Sequence, residues 1–136
     1  MCNIIQVEGL SMATRFKADA NEDARVLSSA VSKIAEFWGL SNAKLGLVLG
    51  LSQATVSRLR SGQTTLDPAS KSFEAGQFLL RLFRSLDALL GSDDAASRRW
   101  LDVANLDLDA RPIDLIDSFK GLLTVCDYVD AHRARV

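Results

Sequence analysis

Two cysteines, Cys2 and Cys126, and one histidine are all that this 136-residue chain holds of those residue types. They make neither a disulfide framework nor a cysteine–histidine metal site. Cys126 falls in an apolar helical stripe and is expected to be a buried thiol. The eight glycines form no Gly-x-Gly-x-x-Gly and no phosphate-binding loop. The lone His132, near the end of the chain without an orienting partner, is a poor general base. Asp107, Asp109 and Asp114 lie close in sequence but lack calcium-loop spacing, so they are read as loop and cap residues. Catalysis, a cofactor and a bound metal are therefore not expected. No segment has the ~20 apolar residues of a membrane span. The opening Met1–Leu10 lacks the basic and long apolar stretches of a secretory signal, so a cytoplasmic location is expected. Nothing alternates for long as a strand does, and there is no internal repeat or low-complexity tract.

Hydrophobic residues make up 48% of the chain, which calls for a packed core. The length suits one domain or two very small ones. A net charge of −1 conceals an asymmetry: residues 1–72 carry 8 basic and 6 acidic side chains, residues 73–136 carry 8 and 11. No Asp or Glu occurs between Glu36 and Asp67, whereas Lys44, Arg58 and Arg60 do. A locally cationic stretch in an acidic protein suits a local anionic partner.

Residues 1–21 show no clear period and are read as a flexible segment. From Glu22 the pattern turns helical, with Leu27, Ala30, Val31, Ile34 and Trp38 at i, i+3, i+4 spacing and Gly39 as the stop. Short helices are expected over about 42–49 and 53–60, each preceded by a capping serine, Ser41 and Ser52. Asp67-Pro68 reads as N-cap and first-turn proline of a helix that ends at Gly91. That helix is apolar on more than one face, so it is expected to join the two halves and to be available to a second copy. A further helix opens at Ser92-Asp93-Asp94. A loop over 105–110 leads to Pro112 and a short helix, and the last helix spans about 119–133. The fold class is all-α, with six to eight helices.

Between Asn42 and Ser61, Leu45, Leu49, Leu51, Val56 and Leu59 are apolar, Gly46 is small where two helices would touch, and Gly50 sits in the turn. A steep helix crossing needs such a small contact, a reversing glycine and a few corner-sealing side chains. The segment resembles the Xre/Cro helix-turn-helix. If its second helix enters a major groove, Ser52, Gln53, Ala54, Ser57 and Arg58 face the bases. Lys44 and Arg60 then meet phosphates. So few cations bind weakly as a single copy, so a homodimer on paired half-sites of operator DNA is expected.

In the last third, Arg99-Trp100-Leu101, Asn105, Pro112, Leu115 and Gly121 follow at short, ordered spacings. That succession is similar to the toxin-binding domain of the Xre/MbcA/ParS antitoxins. Domains are accordingly placed at 22–80 (helix-turn-helix) and 81–136 (toxin binding). The chain departs from the family at Asp109-Ala110-Arg111, where a glycine often precedes the proline motif. The resemblance implies a partner: a RES-domain toxin, an enzyme that consumes NAD. It also implies that the antitoxin's C-terminal end covers the toxin's NAD pocket. Tyr128, His132, Arg133, Arg135 and the carboxylate of Val136 are then the toxin-binding groups, able to pair with side chains that otherwise hold the dinucleotide. The alternative is a stand-alone Xre-type regulator whose C-terminal domain only dimerises.

Overall fold

The structure, a computed structural model, describes residues 2–134, with side chains from Thr14 onward except Phe16. Seven helices follow one another: α1 Cys2–Trp38, α2 Asn42–Leu49, α3 Gln53–Arg60, α4 Lys71–Leu90, α5 Asp94–Asp102, α6 Pro112–Leu115 and α7 Phe119–Ala134. Among the described residues there is no strand, only an isolated antiparallel bridge between Asn105 and Ala110. No helix among them is long and apolar enough to cross a membrane.

Helix α1 starts at Cys2, some twenty residues ahead of the start expected at Glu22. The difference has a physical cause. Hydrophobic period reports a packed face, not helicity as such. Thr14, Arg15, Lys17, Ala18 and Asp19 are exposed, while Ala24, Leu27, Val31, Ile34, Ala35 and Trp38 are buried. The period therefore appears only where the helix acquires something to pack on.

Helix α4 is the second revision. Its N-cap is Ser70, whose hydroxyl accepts from the Phe73 N–H at 3.1 Å, not Asp67. Asp67 instead builds a turn one step earlier: its carboxylate accepts from Ala69 N–H and its carbonyl from Ser70 N–H. Asp-Pro is equally suited to either task, so the local signal is ambiguous. At the other end Gly91 (φ 69°) stops α4 as expected.

Leu79, Leu82 and Leu86 on α4 are fully buried. Helices α1, α2, α5 and α7 pack on α4, and one continuous core runs from Leu27 to Val129. Phe78, Leu80, Phe83, Leu89 and Leu90 of α4 pack at the edge of this core and stay partly exposed. Polar ties reinforce the junction of α4 and α7: Asp130 accepts from Ser85 Oγ at 2.7 Å and pairs with Arg81.

Cys126 on α7 is buried, with its thiol 3.3 Å from the Phe78 carbonyl. Burial pushes its pKa up to about 12. The unfolded chain ionises this thiol near pH 9 and the folded chain does not, so the folded state binds the extra proton between those values. The thiol's contribution is fully present below about pH 9 and declines above it, at about 1.4 kcal/mol per pH unit. Denaturant midpoints between pH 8 and 11 should fall more steeply for the native chain than for Cys126→Ala. Parallel curves would contradict this.

Candidate functional site

Helices α2 and α3 form the corner that their sequence calls for. Ser41 caps α2, accepting from Lys44 N–H at 3.1 Å, and Ser52 caps α3, accepting from Thr55 N–H at 3.2 Å. Gly50 takes φ 70° in the turn. Gly46 is where the chain comes closest: a Cβ there would lie 2.6 Å from the Leu51 carbonyl oxygen. Leu45, Leu49, Val56 and Leu59 seal the corner from inside.

Of the residues expected to face DNA, Ser52, Gln53, Ala54, Ser57 and Arg58 are exposed along one short helix. Thr55, which sequence reasoning passed over, links two of them. Its hydroxyl accepts from Ser52 Oγ at 2.9 Å and from Arg58 Nη2 at 3.3 Å, and so orients the only arginine of α3 that projects freely. Lys44 and Arg60, expected to meet phosphates, are engaged inside the chain. Lys44 Nζ lies 2.6 Å from Asp117 Oδ1, and Arg60 Nη1 donates to the Leu40 carbonyl (2.9 Å) and to Asn42 Oδ1 (3.1 Å). Lys44 ties α2 to the segment before α7, and Arg60 ties α3 to the start of α2, which a sequence of charges cannot reveal.

The ordered residues of the last third come together as one packed unit. Leu101 and Pro112 are buried. Trp100 stacks on Tyr128 with ring centroids 6.3 Å apart. The Asn105 side chain accepts from Asp107 N–H (2.9 Å) and Leu108 N–H (3.1 Å), closing the 105–110 loop. In that loop Asp109 adopts φ 54°, the left-handed conformation that glycine takes at least cost and that Asp tolerates. The departure from the family pattern therefore keeps the turn. Gly121 is sterically required: a Cβ would stand 1.8 Å from the Leu115 carbonyl oxygen. Arg99, in contrast, is exposed.

At the end of α7, Tyr128 is half-buried. It donates to Asp107 Oδ2 at 2.7 Å and lies 4.2 Å from the His132 ring centroid. His132 Nδ1 donates to the Tyr128 carbonyl at 2.9 Å. Arg133 is exposed; Arg135 and Val136 lie outside the described residues. The same domain presents Leu106, 98% exposed at the loop tip, and Val103, 62% exposed. An isolated Leu such as Leu106 carries no signal in the sequence.

Asp107 is occupied by Tyr128 and Asp114 by Arg111, whose guanidinium also reaches Asp102 at 3.0 Å. The hydrogen bond from Arg111, then its charge and that of Lys44, hold the Asp114 carboxyl below the usual carboxylate range. Among the described residues no cluster of three or more His, Cys, Asp or Glu side chains is placed to hold a metal. A cleft of about 460 Å³ lies between the start of α2 and the α5–α6 region.

Such a geometry defines a helix-turn-helix protein carrying a second, compact helical module. Comparison with known families makes this specific. Residues 17–84 match the antitoxin Xre-like helix-turn-helix domain, and residues 85–135 match the antitoxin Xre/MbcA/ParS C-terminal toxin-binding domain. The chain belongs to this antitoxin family, and its second module is a toxin-binding domain. No curated protein matches the chain.

Proposed function

We propose that this antitoxin neutralises a RES-domain, NAD-consuming toxin by occlusion, and that as a homodimer it represses its own operon through α2 and α3. The observation that carries the first part is the packed unit from Trp100 to Gly121, which sets the end of α7 beside an exposed apolar tip. Leu106 and Val103 supply area that a partner can bury, and an apolar residue at the centre of an interface contributes most when fully desolvated. Arg133, with Arg135 after it in the sequence, supplies charged groups suited to a dinucleotide pocket. No chemistry by this chain is needed: a partner seated there leaves no room for NAD. For the second part, Ser52, Gln53, Ala54, Ser57 and Arg58 share the exposed side of α3 in the manner of a recognition helix. Lys44 and Arg60 take a supporting place.

The test is co-expression with the neighbouring reading frame, following growth and cellular NAD. The neighbour alone should deplete NAD and arrest growth, and this chain should restore both and co-purify with it. A neighbour that leaves NAD untouched while still being bound and neutralised would remove the RES assignment. A harmless neighbour with no complex would favour the stand-alone regulator.

A further inference from the structure

The helix-turn-helix is short of free cations. Between Asn42 and Arg60 there are three basic side chains, and two of them, Lys44 and Arg60, are held by other elements. Only Arg58 remains. Yet affinity for DNA depends chiefly on how many phosphates a surface neutralises. The missing charge stands across the cleft. Arg98 and Arg99 on α5 are exposed, and neither side chain has an ionic or hydrogen-bonding partner among the described residues. The Arg98 guanidinium lies against the turn between α1 and α2: a Cβ on Gly39 (φ 66°) would be 2.7 Å from its Nη2. Both arginines line the cleft with Ser41 and Lys44 of α2's first turn. Arg111, Asp102 and Asp114 complete its charge; with Asp117, which pairs with Lys44, four cations face three carboxylates.

We infer that Arg98 and Arg99, although they belong to the toxin-binding domain, form a DNA-backbone contact that extends the helix-turn-helix surface. The inference rests on the proposed operator binding. In a helix-turn-helix the first helix crosses the sugar–phosphate backbone. Its first turn here is bordered by these two guanidinium groups, so phosphates flanking the recognised bases meet them. The contact is independent of sequence, because phosphates position and bases specify. It also makes DNA affinity depend on the C-terminal domain, which a helix-turn-helix sufficient in itself would not show.

The test uses the full chain and a labelled duplex of the segment upstream of its own reading frame, with affinity measured across a salt series. Arg98→Gln/Arg99→Gln should weaken binding about 10-fold or more at moderate salt and flatten the log–log salt slope by about 2 per chain. Arg98→Lys/Arg99→Lys should restore most of both, since a phosphate accepts a point charge. Asp102→Asn/Asp114→Asn, which frees Arg111 and removes repulsion, should strengthen binding and so tests the same cleft without weakening the protein's charge. Co-purification with the toxin should be unchanged by the glutamine pair. If the glutamine pair binds as the native chain does while Gln53→Ala/Arg58→Ala abolishes binding, this inference falls and the operator reading survives. If no form binds the duplex, both fall. If the glutamine pair loses the toxin and keeps DNA, the cleft is a toxin contact and the inference is overturned.

Discussion

Replacing Gly121 with alanine is expected to destabilise the protein by about 3 kcal/mol or more, although alanine is the better helix former by about 1 kcal/mol at an ordinary helical position. The reason is a single close approach. Gly121 lies in the first turn of α7, where its N–H donates to Ser118 Oγ at 3.0 Å. An added Cβ would stand 1.8 Å from the Leu115 carbonyl oxygen and 2.7 Å from its carbon. Both are backbone atoms, so no rotamer change relieves the clash; either α6 or α7 must move. Helix α7 carries Leu122, Val125, Cys126 and Val129, all fully buried against α4, and cannot shift without opening that interface. A fall in Tm of about 10 °C or more is expected, with loss of toxin co-purification. Gly50→Ala is the useful contrast. It has the left-handed backbone but nothing within 4 Å of the added carbon, so it should cost only about 1 kcal/mol. Equal effects from the two substitutions would show that the approach of α6 adds nothing at position 121, whose backbone is not left-handed.

Deleting residues 133–136 is expected to leave the fold almost unchanged and to abolish neutralisation of the toxin. Arg133 and Ala134 are exposed, so little packing is lost. Under the proposed occlusion, however, the deletion removes two guanidinium groups, those of Arg133 and Arg135. A hydrogen bond to a charged group contributes about 1.5–3 kcal/mol. Losing two or more such contacts raises Kd by about 100-fold or more. Co-expression with the toxin gene should then fail to restore growth or NAD, while Tm moves by no more than about 2 °C. Restoration of growth by the truncated chain would eliminate the tail as the occluding element and leave the Leu106 tip as the main contact. Tyr128→Phe separates the two regions. It breaks the bond to Asp107 and loosens the 105–110 loop while keeping the tail, so a defect there without one in the deletion would point to the loop.

By itself, the sequence determined those features whose cause is local. The corner of α2 and α3 needed capping serines, a left-handed Gly50 and a small Gly46, each set by its immediate neighbours. The breaks at Gly39 and Gly91 and the span of α7 followed from period and glycine placement for the same reason. The order Arg99 to Gly121 was legible as a pattern, although the demand on Gly121 became evident only when α6 met α7. Tertiary structure decided whatever depended on a distant partner. Lys44 finds Asp117, and Arg60 finds Leu40 and Asn42, so two cations that look free in the sequence have partners within the chain. Helix α1 starts well before Glu22, where the period is silent. Arg98 and Arg99, remote in sequence from α2, end beside its first turn. A list of charges is linear, whereas neutralisation depends on which opposite charge lies within a few ångströms after folding, so the pairing of these side chains had to come from the packed structure.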